Sequence, residues 1–171
     1  QGFLQRAARL DGVYVPSFYE PQYDGAGAFR GIKVLETEAR PIIFKRVVRD
    51  LDAAVFTEKP IVPYIDIVHN RMMLELFRGC SRCCRFCQAG IAYRPVRERT
   101  PAKLRTLARS MADATGYDEM SLTSLSSADY SCLNPLVDTL FADFAGEKVS
   151  FSLPSLRIDS FSIGLAQRMQ Q

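Results

Sequence analysis

Long apolar runs, a signal sequence and clustered histidines are all missing from this 171-residue chain. No uninterrupted apolar stretch approaches the roughly 18 residues of a transmembrane helix, so we expect no membrane partner. The N-terminus lacks both a signal peptide's apolar core and an initiator methionine. His69 is the only histidine, and we expect it to make a structural hydrogen bond rather than bind a metal. The absent methionine and an open helical pattern at the C-terminus predict a fragment of a longer chain.

The composition is that of a globular protein, with 47% hydrophobic and 24% charged residues. The net charge of +3 is modest. Four of the five cysteines fall between residues 80 and 87, where adjacent Cys83 and Cys84 do not bridge easily. A disulfide framework is therefore not indicated, and a reducing cytoplasm is the predicted setting.

The most informative feature present is the motif C-x3-C-x-F-C, formed by Cys80, Cys84, Phe86 and Cys87. Its tight spacing lets several thiolates converge on one metal centre. Iron–sulfur cubanes and structural zinc normally take four protein ligands, so a set of three leaves one metal position open for catalysis.

Arginine is dense around the motif. Eight arginines fall in the 32 residues from 78 to 109, namely Arg78, Arg82, Arg85, Arg94, Arg97, Arg99, Arg105 and Arg109. A basic surround favours thiolates over thiols and suits a carboxylate-bearing ligand. The alternative is a solvated basic face.

Residues 1–62 are predicted to form a mixed lead-in segment without candidate catalytic or metal-binding residues. The patterns indicate a helix over 1–10, a brief strand at 12–16, a loop at 18–31 and a hairpin of 32–38 with 42–48.

Residues 63–171 predict a β-α-β-α-β-α order. Strands are indicated at 71–77, 119–125 and 149–153, and helices begin at Thr100-Pro101, at Asn134-Pro135 and at Ser160. Crossovers of this length give a parallel α/β sheet, either open or part of a barrel. Ligands of such sheets bind at the carboxyl ends of the strands, where the loops 79–87, 123–129 and 154–159 are expected.

Alternation within the strands predicts a polar face on the sheet. The residues expected there are Met73, Glu75 and Phe77, then Ser121 and Thr123, then Ser150 and Ser152. Such a face suits a bound polar cofactor better than a dry core. The alternative is that the hydroxyl groups only bond to the backbone.

The cysteine motif after the first strand resembles the radical S-adenosylmethionine (SAM) enzymes. Longer phrases resemble the branch of that superfamily that carries an N-terminal cobalamin-binding domain. These phrases are Arg78-Gly79-Cys80, then 84–90, 93–99, 124–130 and 153–157. The resemblance implies that this chain is the first three βα units of a partial radical SAM barrel, without the cobalamin domain and without the barrel's end.

The resemblance also implies roles for individual residues. Cys80, Cys84 and Cys87 would hold a 4Fe–4S cluster whose open iron is chelated by SAM, and Phe86 would pack near the adenine. One electron, from a donor such as flavodoxin or ferredoxin, would cleave SAM to methionine and a 5′-deoxyadenosyl radical. Cobalamin stays open as a further cofactor of the full-length protein. Further cofactor contacts are assigned to Thr123, Ser124, Ser126, Ser152 and Arg157.

Alternatives remain open at several positions. Arg157 would pair with the SAM carboxylate or a substrate anion, or with Asp159 on the surface. Cys83 stands where the family pattern favours glycine, and with Cys80, Cys84 and Cys87 it gives a competing, non-catalytic zinc module. The arginines suggest a third reading, an RNA-binding module, although no recognised RNA-binding motif is present. The substrate is not indicated, and RNA stays open as one.

Overall fold

The computed structural model describes residues 2–65, 67–160 and 163–169. Its chain divides into two compact units, Gln1–Val48 and Arg49–Gln171. Within the described ranges, no helix is both long enough and apolar enough to cross a membrane. The predicted domain boundary at 62/63 stays a prediction, and residues 51–58 belong to the second unit.

The first unit is built on helix α1 (Gly2–Ala8) and an antiparallel hairpin of β1 (Tyr19–Tyr23) and β2 (Phe29–Val34). Its small core consists of Ala8, Val15, Phe18 and Ala39. The predictions of a strand at 12–16, a loop at 18–31 and a strand at 42–48 are wrong, because the hairpin forms earlier in the chain.

The hairpin turn explains the error. The carboxylate of Asp24 accepts the backbone N–H groups of Ala26 and Ala28, each at 2.9 Å. These bonds, the one from Ala28 first, lower the pKa of Asp24. They fix the turn locally, so the glycine-rich stretch turns back on itself instead of remaining a loop.

The second unit is a mixed α/β structure around a three-stranded parallel sheet. The strands β3 (Met72–Glu75), β6 (Glu119–Thr123) and β7 (Ser150–Ser152) lie in the order β3-β6-β7. Between β3 and β6 the chain forms β4 (Phe77–Arg78), α2 (Ala89–Ala92), β5 (Arg97–Glu98) and α3 (Pro101–Thr115). Helix α4 (Leu133–Asp143) precedes β7, and α5 (Ile163–Met169) follows it. The predicted order is confirmed for the three parallel strands and helices α3, α4 and α5, whereas β4, α2 and β5 were not predicted. The last helix was predicted to start at residue 160, and residues 161–162 lie outside the described ranges.

Helix α3 begins and ends as its sequence predicts. The Thr100 side chain accepts the N–H of Lys103, Pro101 occupies the first turn, and Gly116 ends the helix at φ 68°. The carboxylate of Asp52 accepts the backbone N–H and the hydroxyl of Thr100, the latter at 2.6 Å. Residues before the sheet thus take part in starting this helix.

The core lies between one sheet face and helices α3 and α4. Leu74 pairs in register with Leu122, and both are fully buried. The helices contribute residues that are also buried, among them Leu104, Leu107, Leu136 and Leu140. Burial of a leucine side chain contributes roughly 1.5–3 kcal/mol, so this layer holds the site's scaffold together.

The predicted strand 71–77 is interrupted at Leu76. The N–H of Leu76 donates to Thr123 O, and its carbonyl accepts from Arg99 N, each at 2.9 Å. The chain thereby changes partner from β6 to β5, and Phe77 is buried at 3% exposure. Phe77 packs into the apolar core cluster, whereas Met73 at 54% exposure lies opposite the core.

Candidate metal and cofactor site

Three loops meet at the carboxyl ends of the parallel strands. We call residues 79–87 the cysteine loop, 124–129 the serine loop and 154–159 the third loop. Arg82 of the cysteine loop pairs through two nitrogens with Asp129, with Nε 2.7 Å from Oδ2. Ser127 donates to Pro154 O at 2.8 Å. The prediction that these loops lie together is confirmed.

The cysteine loop starts at a crowded point. Gly79 has φ 98°, and a Cβ there would stand 2.6 Å from Pro95 O and 2.8 Å from Tyr93 O. Only glycine fits such a close approach without displacing backbone. Cys80, the first cysteine of the loop, therefore follows a glycine whose backbone position is fixed by its contact with the segment before β5.

The cysteine sulfurs face different partners. All are free thiols, with Cys83 exposed and the other three in the loop half-buried. Cys80 Sγ accepts the N–H of Arg82 at 3.4 Å, whereas Cys84 Sγ lies 2.9 Å from Arg157 Nη1. Across the described ranges, no three His, Cys, Asp or Glu side chains are grouped so that they could hold a metal ion.

Cys83 adopts a conformation that suits glycine. Its φ is 52°, in the left-handed region, and its sulfur contacts the guanidinium of Arg94. A Cβ built on Gly90 of α2 would lie 3.5 Å from Cys83 N, so the helix packs closely on this turn. Left-handed residues other than glycine carry a conformational cost, so the backbone at this position favours glycine over cysteine.

A cavity of about 340 Å³ lies next to the start of the cysteine loop. Its lining comprises Glu75, Phe77, Arg78, Gly79, Tyr93, Thr123, Ser124 and Leu125. Two of the predicted cofactor residues, Thr123 and Ser124, are therefore brought together with the loop that carries the cysteines. Thr123 also donates to Leu74 O at 3.2 Å, so its hydroxyl has a backbone bond as well as a place in the cavity lining.

Two arginines and one glutamate set the charge of this cavity. Glu75 accepts Nε and Nη2 of Arg78, at 2.8 and 2.9 Å, and lies 3.5 Å from Nη2 of Arg99. The hydrogen bond to Glu75 raises the pKa of Arg78. Arg99 is 2% exposed, stacks over Phe56 and donates to Leu51 O. The cavity wall therefore carries the ion pair of Glu75 with Arg78, and Glu75 also contacts the buried Arg99.

The other predicted cofactor residues do not line the cavity. Phe86 is 93% exposed and Ser126 is 1% exposed. Ser152 lies on β7 and donates to Glu119 Oε1 at 3.1 Å. Arg71 binds the same carboxylate at 2.6 Å, which lowers the pKa of Glu119. Arg71 also contacts His69 Nδ1 at 2.9 Å, so the structural hydrogen bond expected for His69 is confirmed.

Sequence reasoning missed the role of Asp129 in this site. Arg82 lowers the pKa of Asp129, and Arg157 lowers that of Asp159. The ion pair of Arg157 with Asp159, at 2.8 Å, was one of the two alternatives for that arginine. Arg82 and Asp129 are 47 residues apart in sequence. Only the parallel arrangement of the strands, which brings their two loops to one sheet edge, could have indicated that they lie close together.

Comparisons with known proteins give one partial match. An uncharacterized protein of Methanocaldococcus jannaschii is 36% identical over 90 residues, which are 53% of this chain and 19% of that protein. The matched region thus spans about a fifth of the relative's length. No family model and no solved structure matches the chain.

Proposed function

We propose that this chain is part of a radical SAM enzyme and forms the first three βα units of its barrel. The observation that carries the proposal is the position of the cysteine loop. It lies beyond the carboxyl end of the parallel strand β3, after the short strand β4, and adjoins a cavity of about 340 Å³. Ligand sites in α/β sheets and barrels lie at this edge.

Cys80, Cys84 and Cys87 would hold a 4Fe–4S cluster. The donor set fits that group chemically, because the three thiols are free and lie within eight residues. The three sulfurs are not grouped in the described part of the chain. Binding of the cluster must therefore bring the cysteines of the exposed loop closer together. Metal binding commonly supplies the free energy for such ordering.

SAM would occupy the cavity beside Gly79, with Thr123 and Ser124 offering hydroxyl groups to its polar end. The ion pair of Glu75 and Arg78 presents a negative and a positive group to the amino and carboxylate groups of SAM. Phe86, Ser126, Ser152 and Arg157 stay predicted cofactor residues outside this lining. When bound, the cluster would pass one electron, from a flavodoxin or ferredoxin, to SAM and so yield methionine and a 5′-deoxyadenosyl radical.

Anaerobic reconstitution with iron and sulfide tests the proposal. We expect a brown protein with about four irons and four sulfides per chain, and a broad absorption band in the blue. Cys84→Ala abolishes this band, while Cys83→Ala retains it. Reduction with dithionite in the presence of SAM then gives 5′-deoxyadenosine in the wild type and in Cys83→Ala only.

A zinc module would behave differently. Colourless protein that binds zinc stoichiometrically, and loses it equally on Cys83→Ala and Cys84→Ala, would overturn the iron–sulfur proposal. The structure offers this alternative one unfavourable observation: Cys83 Sγ turns to the guanidinium of Arg94. For the full-length protein, a cytoplasmic setting stays a prediction, and cobalamin use and the identity of the substrate, with RNA among the options, stay open.

A further inference from the structure

The guanidinium of Arg157 is held on one side by a carboxylate and on the other by a cysteine. Asp159 accepts Nε at 2.9 Å and Nη2 at 2.8 Å. Nη1, at the opposite edge, lies 2.9 Å from Cys84 Sγ, across 73 residues of sequence. Because the carboxylate fixes the plane of the guanidinium, the direction of the remaining N–H groups is fixed too.

Cys84 differs from the other two predicted ligands in this respect. Cys80 Sγ accepts only a backbone N–H, at the longer distance of 3.4 Å. Cys87 Sγ has no hydrogen-bond donor in the described ranges, although its backbone N–H bonds to Cys84 O. One thiol of the three thus receives a charged donor.

Hydrogen bonds to ligand sulfurs, and nearby charge, set the reduction potential of an iron–sulfur centre. A cation that donates to a thiolate withdraws electron density from it. Reduction adds negative charge to the centre, so such a contact stabilises the reduced form and raises the potential. The contact also keeps the sulfur in one orientation while the exposed loop gathers around the metal.

We propose that Arg157, oriented by Asp159, is a positioning residue for Cys84 that raises the reduction potential of the metal centre. This inference rests on the proposed function. It differs from the prediction that Arg157 binds the SAM carboxylate, because it acts through the sulfur and operates before SAM is present.

The test is the midpoint potential of the SAM-free, reconstituted protein, titrated with dithionite and followed by electron paramagnetic resonance. Arg157→Gln is expected to shift the one-electron reduction equilibrium about tenfold towards the oxidised form, equivalent to about 59 mV. Arg157→Lys should retain part of the effect, and Asp159→Asn should lose part of it. The matched control is Arg85→Gln, which removes the same charge from the residue after Cys84, while the contact of Cys84 Sγ with Arg157 stays in place.

The outcomes separate the two proposals. A wild type that loads no cluster overturns both of them. A loaded Arg157→Gln protein with the potential of Arg85→Gln overturns the positioning role alone, and weaker SAM binding at that unchanged potential assigns Arg157 to the carboxylate instead. If Arg157→Gln does not load a cluster, recovery of loading in Arg157→Lys supports the positioning role. If neither Arg157 variant loads a cluster and Asp159→Asn has the wild-type potential, the positioning role is contradicted.

Discussion

The serine loop and the cysteine loop leave the same sheet edge, yet they are held in different ways. Ser126 and Ser127 are 1% and 0% exposed, and Ser127 bonds to the backbone of the third loop. The cysteine loop has an exposed Cys83 and an almost fully exposed Phe86. Arginine side chains link it to the neighbouring loops: Arg82 of the cysteine loop pairs with Asp129, and Arg157 of the third loop contacts Cys84. The serine loop is therefore held by buried side chains, whereas the cysteine loop is fixed at its start and can reorganise beyond that point.

The largest effect is expected where the cysteine loop is fixed. Gly79→Ala should lower the free energy of unfolding by about 2–4 kcal/mol, since a left-handed residue costs about 1 kcal/mol or more and crowding against backbone adds about 1–3. Urea unfolding followed by circular dichroism measures this change. Gly146→Ala is the matched control, because Gly146 has φ 86° but nothing within 4 Å of a built Cβ. Equal losses in the two variants would show that the start of the loop is not crowded.

The next effect concerns the serine loop. Ser127→Ala removes the hydroxyl that lies 2.8 Å from Pro154 O and 3.2 Å from Leu122 O. Leaving a buried carbonyl without its donor costs about 1–3 kcal/mol, measured by the same urea unfolding. Ser150→Ala, at an exposed hydroxyl on β7, is the control and should change stability by less than about 0.5 kcal/mol. A loss in Ser127→Ala no greater than in the control would remove the contrast between the loops.

A smaller and opposite effect is expected at Cys83. Cys83→Gly relieves the left-handed conformation at φ 52° but adds chain entropy to the unfolded state. We expect stability to rise by up to about 1 kcal/mol relative to Cys83→Ala, which keeps the strain. Comparison of the two variants by thermal unfolding isolates the backbone contribution from the loss of the thiol. A less stable glycine variant would mean that the turn is not strained.

The smallest effect is expected from the link between the loops. Arg82 holds the pKa of Asp129 below its ordinary value of 3.8. The ionised carboxylate therefore stabilises the folded state above that value, and this contribution is lost as pH falls through the lower folded pKa. Unfolding between pH 2 and 6 should show a shallower acid dependence in Asp129→Asn than in wild type, with a difference below about 1 kcal/mol for this partly exposed pair. Parallel pH profiles would contradict a role for the ion pair.

Much of the second unit could be predicted because its signals are local. Helix α3 has an N-cap at Thr100, a proline in its first turn, an apolar stripe and a terminating Gly116, and each acts within a few residues. The hairpin of the first unit was missed because Pro21 and several glycines dilute its alternation. The Asp24-Gly25 pair was the available signal, since this dipeptide is typical of hairpin turns.

The site could be predicted in its place but not in its contacts. Strand order alone indicates that the three loops share an edge. That Cys84 meets Arg157, or that Leu76 switches the chain to a new partner, depends on side-chain packing between segments far apart in sequence. Thr123 and Ser124 could be placed beside the cysteine loop because they end a strand, whereas Asp129 carries no pattern of its own before its partner is known.

The bond of Asp52 to Thr100 has a consequence for how the chain can be divided. Together with Leu51, which is 1% exposed and accepts from Arg99, Asp52 belongs to the structure that follows it. A recombinant domain cut at residue 63 would leave helix α3 without its outer carboxylate and the buried Arg99 with one hydrogen-bond acceptor fewer. A cut after Val48 keeps both, so the first workable place to separate the two units lies fourteen residues ahead of the strand-based boundary.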